Sequence, residues 1–238
     1  MHSPFVFQLY TEVIRGKGQN DSIEALRKQL MRSEAIVEIT DFGAGKAGSG
    51  SGTIRRSLKE IARTSARRPF EGNLLYRLCH HFQPQTCLEL GTNLGISSLY
   101  QLSALKNSRF ITLEGSPNLA EIAGKNIADA GFRAEIHTGE FSELLSRLNL
   151  DEIQPDYVFL DGNHRYAPTM EYISTILPHM APGGMIILDD IYWSSEMKKA
   201  WETICAMPEI TVSIDLFVMG ICFVKRPQAK EHFRLRFW

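Results

Sequence analysis

Thr86-Cys-Leu-Glu-Leu-Gly-Thr-Asn-Leu-Gly-Ile-Ser-Ser98 is the most informative segment of this chain. Its first five residues are mostly apolar, which is typical of a strand covered on both faces. Gly91 and Gly95 then remove side chains where the backbone must turn tightly or approach a ligand. A helix that begins near Ile96 would direct its first free N–H groups to the same place. The stretch therefore predicts a strand, a glycine turn and a helix, with room for a small ligand at the turn.

Two acids accompany this pattern. Glu89 lies inside the apolar strand, and because carboxylates are seldom buried alone, we expect it to meet a cation or a cluster of hydrogen-bond donors. Glu114 follows the next strand about 20 residues later, a spacing that suits a carboxylate accepting ribose hydroxyls. The other interpretation of Glu114 is a solvated residue at a strand end. The glycine pair that lets a backbone meet a pyrophosphate is absent, so the ligand need not contain phosphate.

Strand and helix patterns alternate from Glu71 onward. Five strands, each followed by a helical segment or a turn, are predicted at 86–90, 109–113, 133–137, 157–160 and 185–188. Two further strands, 211–217 and 220–224, are separated by only two residues and predict an antiparallel hairpin. This order predicts an α/β fold, a doubly wound and mostly parallel seven-stranded sheet with the hairpin at its C-terminal edge. Ligands of such sheets bind at the carboxyl ends of the strands.

The first 68 residues differ from this pattern and are predicted to form an N-terminal helical appendage, followed by the main domain over 69–238. Helices are expected near 5–13, over 21–32 and over the basic segment 53–68. The Gly- and Ser-rich segment 41–52 offers almost nothing to bury and predicts a flexible loop. The appendage would serve either as a lid over the ligand or as a contact between two subunits, which leaves a homo-oligomer open.

Composition limits the partners of the chain. A net charge of −1 and a pI near 6.7 over 238 residues provide no overall field for nucleic acid or an anionic membrane. The cysteines are scattered rather than spaced as a zinc site or a disulfide framework. No apolar run approaches the roughly 20 residues that span a bilayer. We therefore expect a cytoplasmic protein without a membrane partner.

Two more strands end in acids, in the segments Val158-Phe-Leu-Asp-Gly-Asn-His164 and Met185-Ile-Ile-Leu-Asp-Asp190. Because carboxyl ends of parallel strands share one edge of a sheet, Asp161, Asp189 and Asp190 should converge and could bind Mg²⁺. An Asp-Asp pair can instead cap the following helix. His164 is the candidate general base beside Asp161, since imidazole exchanges protons near neutral pH. It could equally hydrogen-bond its own turn or hold Asp161 in place.

The segment 89–97, Glu-Leu-Gly-Thr-Asn-Leu-Gly-Ile-Ser, together with Glu114, resembles the cofactor signature of class I S-adenosylmethionine-dependent methyltransferases. It is most similar to the small-molecule O-methyltransferases of the catechol, caffeoyl-coenzyme A and macrolide-sugar types, and the resemblance covers about residues 70–225. It implies the Rossmann-like methyltransferase fold and S-adenosylmethionine as cofactor. The implied cofactor-binding residues are Glu89, Gly91, Asn93, Gly95 and Ser97 at the methionine end, Glu114 at the ribose, and Gly139, Glu140 and Phe141 at the adenine.

The resemblance also bears on the chemistry. Metal-dependent relatives carry their ligands at the positions of Asp161, Asp189 and Asp190, whereas metal-free relatives use an acid at Asp161 to hold the cofactor's amino group. Macrolide-sugar enzymes have a similarly placed His, and the catechol type uses a Lys that this loop lacks. Asp161 and His164 are thus the implied catalytic residues.

The leading hypothesis is a methyltransferase that acts on a hydroxyl of a small molecule, with Mg²⁺ as an optional cofactor. A methyltransferase acting on RNA or protein nitrogen is the alternative, with the basic segment 55–68 as its grip. Such enzymes often carry an Asn/Asp-Pro-Pro-aromatic motif after the fourth strand. This chain has Asp-Gly-Asn-His at that position, residues 161–164, so nucleic acid is not the expected partner. A cofactor-binding module without catalysis is a third reading. A nucleotide-dependent oxidoreductase would rest on the fold alone.

Overall fold

The computed structural model describes residues 3–18, 20–41, 52–65, 68–225 and 229–236. In chain order, the N-terminal part contains helix α1 (Pro4–Gln8) with a π-helical continuation (Leu9–Ile14), α2 (Asp21–Leu30), strands β1 (Ile36–Asp41) and β2 (Gly52–Ser57), and α3 (Leu58–Ser65). The remainder contains α4 (Pro69–Phe82), β3 (Thr86–Leu90), α5 (Ile96–Leu102), β4 (Arg109–Glu114), α6 (Pro117–Asp129), β5 (Glu135–Thr138), α7 (Phe141–Arg147), α8 (Leu150–Ile153), β6 (Tyr157–Leu160), α9 (Tyr166–Ile176), a 3₁₀ turn (Leu177–His179), β7 (Met185–Asp189), α10 (Ser195–Ala206), β8 (Ile210–Asp215), β9 (Met219–Val224) and β10 (Glu231–Arg234).

The main sheet confirms the doubly wound prediction. Its strand order is β10-β8-β9-β7-β6-β3-β4-β5, and the strands from β7 to β5 in this order are parallel. The chain fills the sheet on one side of β3 with β4 and β5 and then returns to the other side with β6 and β7. Strand β9 is antiparallel to both β7 and β8, as the predicted hairpin requires.

The sheet has eight strands rather than the predicted seven, because β10 adds in parallel to the outer side of β8. Its four residues alternate between half-buried and exposed side chains. Side chains also join β10 to β8, since His232 Nδ1 lies 2.8 Å from Ser213 Oγ and Arg234 Nε donates to Asp215 Oδ2 at 2.9 Å.

Apolar residues fill both faces of the sheet. One cluster joins the N-terminal helices and helices α4 to α6 to one face, and a second joins α7, α9 and α10 to the other. The side chains of Val6 and Leu9 are almost completely buried in the first cluster. The N-terminal helices therefore form part of the core that supports β3.

The predicted helix over 53–68 is wrong in its first part. Residues 52–57 form β2, which pairs antiparallel with the unpredicted strand β1, and the helix among the described residues of this segment is Leu58–Ser65. Backbone pairing between two distant segments outweighed the helical preference of the basic stretch. Most of the predicted Gly/Ser loop, residues 42–51, lies outside the described residues. Among the described helices, none is long and apolar enough to cross a membrane.

Candidate functional site

A cavity of about 670 Å³ lies beyond the carboxyl ends of the central strands. It opens where the strand order reverses, between β3 and β6, which is where doubly wound sheets bind ligands. Its volume falls within the range of small-molecule sites. The sequence-predicted residues that line it are Gly91, Asn93, Glu114, Gly139, Glu140, Phe141, Asp161, His164 and Asp190.

Gly91 holds the turn after β3 against the end of β6. Its φ is +105°, a conformation that side chains disfavour, and its N–H donates to the Leu113 carbonyl oxygen at 2.9 Å. A Cβ on Gly91 would lie 2.2 Å from the Asp161 carbonyl oxygen. Glycine is therefore required here by close packing of two backbones, which brings the glycine turn and Asp161 into one site.

Glu89 meets the cluster of donors that the sequence predicted. Its carboxylate accepts hydrogen bonds from Ser97 Oγ at 2.8 Å, Gln101 Nε2 at 2.7 Å, Thr112 Oγ1 at 2.8 Å and Ser98 Oγ. Burial raises the pKa of Glu89, and these hydrogen bonds oppose the shift. The network joins β3, β4 and α5 and so supports the turn from beneath.

The structure places three of the predicted cofactor-binding residues away from the cavity lining. Glu89, Gly95 and Ser97 are not among the described residues that line the cavity. Side chains alternate along a strand, and Glu89 shares the face of Cys87, which packs toward α5, rather than that of Leu88 and Leu90. In this structure, Glu89 and Ser97 contact each other beneath the turn, and their predicted contact with the cofactor stays a prediction.

Glu114 faces the cavity from the end of β4. Its carboxylate accepts the Asn93 N–H at 2.7 Å through Oε2 and the Ser116 N–H at 2.9 Å through Oε1. Burial is the main cause that raises the pKa of Glu114, and these backbone donors oppose it. Asn93 itself has a φ of +51°. The two residues thus shape one rim of the cavity together.

The segment after β5 forms the next part of the wall. Glu140 Oε2 accepts the Glu143 N–H at 3.0 Å and so caps α7. The Phe141 ring packs over Gly162, where a Cβ would lie 2.7 Å from Phe141 Cε2. Sequence reasoning missed Gly162, although a glycine directly after the strand-end Asp161 was a signal for such close packing.

A second cluster stands at the ends of β6 and β7. Asp161, His164 and Asp189 each offer one ligand atom, and these atoms all lie within 4.8 Å of one another. His164 Nε2 is 3.7 Å from Asp161 Oδ1, and Asp189 is almost completely buried. The chemistry of two carboxylates and an imidazole at this spacing fits a divalent cation.

Asp190 does not join this group among the described residues, although it lines the cavity. Strand β7 ends at Asp189, and Asp190 turns the chain with a φ of +50°. Consecutive side chains at such a point diverge. Among the described residues, His164 rather than Asp190 lies together with Asp161 and Asp189.

Sequence reasoning missed the wall contributed by the N-terminal part. Residues of β1, β2, α3 and the start of α4 line the cavity opposite the strand ends, among them Ile54, Arg56 and Arg63. From the loop after β7, Trp193 also lines the cavity, with its ring centroid 6.4 Å from that of His164. Its neighbour Tyr192 turns away instead, and its hydroxyl donates to Asp215 Oδ2 at 2.6 Å.

Comparison with known proteins agrees with this geometry. A family model described as "Methyltransferase domain" matches residues 88–191. A catechol O-methyltransferase of Niastella koreensis is 36% identical over 127 residues, which cover 52% of this chain and 57% of the relative. The chain thus spans little more than half the length of that relative.

Solved structures share the fold. An O-methyltransferase from Bacillus cereus in complex with SAH has a TM-score of 0.64 at 20% identity, covering 93% of this chain and 97% of that one. The O-methyltransferase TomG from Streptomyces achromogenes, in complex with SAM, has a TM-score of 0.60 at 23% identity, covering 68% and 82%. Residues 88–191 are thus similar to the methyltransferase domain family, and the chain shares the fold of these solved O-methyltransferases.

Proposed function

We propose that the protein transfers a methyl group from S-adenosylmethionine to a hydroxyl group of a small molecule. The observation that carries this proposal is one cavity bordered by two different devices. Gly91 and Glu114 line one part of it, and Asp161 and His164, whose ligand atoms lie within 4.8 Å of the buried Asp189, line another. The first suits a nucleoside and the second a hydroxyl that must lose a proton.

The cofactor binds along the strand ends in this proposal. Glu114 accepts the ribose hydroxyls, Gly91 and Asn93 border the methionine end, and residues 139–141 border the adenine. Glu89 and Ser97 act indirectly by holding the turn. The carboxylates near the site also favour a cationic sulfonium electrostatically.

Asp161 and Asp189 are the residues that would hold Mg²⁺, since this ion prefers oxygen ligands. Bound there, such a cation would orient and acidify a substrate hydroxyl. His164, 3.7 Å from Asp161, is then the group that accepts the hydroxyl proton. With a transition metal, its imidazole would instead complete the ligand set.

The reaction is an in-line displacement. The acceptor oxygen forms a bond to the methyl carbon while the bond from that carbon to sulfur breaks, and the sulfonium becomes a neutral thioether. His164 takes the hydroxyl proton. The remaining task of the protein is to align oxygen, carbon and sulfur and to exclude water, which positioning by the cavity walls can provide.

The test starts with calorimetric titration of the purified protein with S-adenosylhomocysteine, with NAD as comparator. We expect binding of the first compound alone. Methyl transfer to a panel of aromatic diols is then followed with added Mg²⁺ and with a chelator, in wild type, His164→Asn and His179→Asn. His179 is the matched control, since it pairs with Asp151 at 2.7 Å and does not line the cavity.

Loss of transfer in His164→Asn, with turnover retained in His179→Asn, would support the assigned proton acceptor. A preference for NAD, or no binding of either compound, would reject the methyltransferase proposal. Methyl transfer that Mg²⁺ stimulates in wild type but not in Asp189→Ala would support the metal site. A cytoplasmic location and a homo-oligomer stay predictions from the sequence.

A further inference from the structure

The cavity has two chemically different walls. The strand-end wall carries the acids Glu114, Glu140, Asp161 and Asp190. The opposite wall comes from β1, β2, α3 and the start of α4, and its charged and apolar members are Arg56, Arg63, Arg68, Ile39, Ile54 and Ile61. Among the described residues of this second wall, Glu71 is the acid, and its Oε2 accepts the Arg68 N–H at 3.1 Å. The described lining residues of the second wall thus carry more positive than negative charges.

Two of these cations are available to a ligand. Within the described residues, no salt bridge joins Arg56 or Arg63 to an acid. Arg55, the neighbour of Arg56 on β2, differs because it lies 3.9 Å from Glu38 and does not line the cavity. Adjacent residues of a strand point to opposite faces. Arg56 therefore faces the cavity while Arg55 is engaged on the other side of the β1–β2 pair.

The same cavity exposes large apolar side chains. Ile54 is 41% exposed and Trp193 is 69% exposed, and both belong to the lining. Exposed apolar surface within a concave site favours a ligand that covers it, and the indole can stack on a planar ring. Since the Trp193 ring lies 6.4 Å from His164, that ligand would also stand beside the proposed proton acceptor.

We propose that the acceptor is an aromatic hydroxyl compound that carries a carboxylate, with the ring against Ile54 and Trp193 and the carboxylate held by Arg56 and Arg63. This inference rests on the proposed function and deepens it. Guanidinium groups bind carboxylates through paired, charge-assisted hydrogen bonds. The cationic cofactor and the anionic acceptor would then each meet a wall of opposite charge, whereas an aromatic amine would place its cation against the arginines.

The experiment compares 3,4-dihydroxybenzoate with 3,4-dihydroxybenzamide, which has the same size and diol but no charge. Binding of each to the complex with S-adenosylhomocysteine is measured by calorimetry, and kcat/KM is measured with S-adenosylmethionine. The proteins are wild type, Arg56→Met, Arg63→Met and the matched control Arg55→Met. Met keeps a long apolar side chain and removes the charge.

We expect wild type to prefer the acid over the amide at least about ten-fold, which is the effect of one good ionic contact. The acid-to-amide ratio should fall toward one in Arg56→Met and in Arg63→Met, and it should keep its wild-type value in Arg55→Met. The loss should fall mainly on KM, since the arginines bind and orient rather than take part in bond making.

The outcomes separate the two proposals. Failure of S-adenosylhomocysteine to bind rejects the methyltransferase function itself. If S-adenosylhomocysteine binds, three results would overturn the anionic acceptor and leave the methyltransferase function standing. These are equal use of the acid and the amide, no binding of the acid, and an acid-to-amide ratio that is unchanged in Arg56→Met and Arg63→Met. Methyl transfer to bulk RNA or to a protein, with neither diol accepted, would overturn it as well and would assign the arginines to a macromolecule.

Discussion

Replacement of Gly91 by alanine tests how the turn after β3 meets the end of β6. The new Cβ would lie 2.2 Å from the Asp161 carbonyl oxygen and 2.9 Å from its carbonyl carbon, where real contacts do not fall below 3.0 Å. The Asp161 backbone must then retreat by about 0.8 Å from the turn. Both partners are backbone atoms of a central strand edge, so no flexible side chain can absorb the shift.

The magnitude has two parts. A φ of +105° costs an alanine about 1–2 kcal/mol relative to glycine. Forcing an extra methyl into a closely packed contact costs about 1–3 kcal/mol more. We therefore expect the free energy of unfolding to fall by about 2–4 kcal/mol in Gly91→Ala after the gain from a stiffer unfolded chain is subtracted.

The matched control is Gly131→Ala. Gly131 has a φ of +83°, and a Cβ there would have no heavy atom within 4 Å. It carries the conformational strain without the contact, so its free energy of unfolding should fall by about 1 kcal/mol. Urea unfolding followed by circular dichroism gives the free energy of unfolding of both variants. It also shows whether the dependence of this free energy on urea concentration stays the same as in wild type.

The affinity for S-adenosylhomocysteine provides the second readout. The retreat moves Asp161 and the turn that we assign to the methionine end, so the dissociation constant should rise about ten-fold or more in Gly91→Ala and stay at its wild-type value in Gly131→Ala. Equal stability and equal affinity of the two variants would refute the packing argument.

Four further predictions concern Glu114, Glu89 and Tyr192. Burial raises the pKa of Glu114 above the ordinary 4.5, so Glu114 takes up a proton before the pH falls to that value. Because a protonated carboxyl accepts ribose hydroxyls less well, the affinity for S-adenosylhomocysteine should decline as the pH is lowered toward 4.5. The decline should be smaller in Glu114→Gln. In Glu89→Gln, an amide nitrogen would face hydroxyl and amide donors, so the free energy of unfolding should fall by about 2–4 kcal/mol. In the exposed control Glu135→Gln, it should fall by less than about 1 kcal/mol. Burial also raises the pKa of Glu89, so the folded state keeps the proton at pH values above 4.5, where the unfolded state has lost it. The difference in free energy of unfolding between wild type and Glu89→Gln should therefore shrink as the pH rises above 4.5. Urea unfolding at pH 5 and pH 8 measures this difference. Tyr192→Phe removes the hydrogen bond that joins the loop after Asp190 to the buried Asp215. If this bond positions Trp193, the KM of the acceptor should rise several-fold while the affinity for S-adenosylhomocysteine stays unchanged. An unaltered KM would mean that the bond does not position Trp193.

The parts of the fold that the sequence predicted are those written in short-range patterns. The strands around 86–90, 109–113 and 157–160 are apolar runs followed by turns, and each was found within a residue or two of its predicted place. Strand β1 was missed, and residues 53–57 were predicted as helix. Their strand conformation depends on pairing between β1 and β2, which ten residues of chain separate, and local sequence preference does not reveal such a partner.

The candidate site divides in the same way. Sequence alone determined that acids and glycines stand at the strand ends, because carboxyl ends of parallel strands share an edge of the sheet. It could not determine which of them face the cavity, since a side chain's direction depends on strand twist, the last paired residue and the packing of the next helix. Tertiary structure turned Glu89 beneath α5, separated Asp190 from Asp189, and brought Arg56 and Arg63 from the N-terminal part to the opposite wall. Each of these placements follows from contacts between segments distant in sequence, and packing of the whole chain alone decides such contacts.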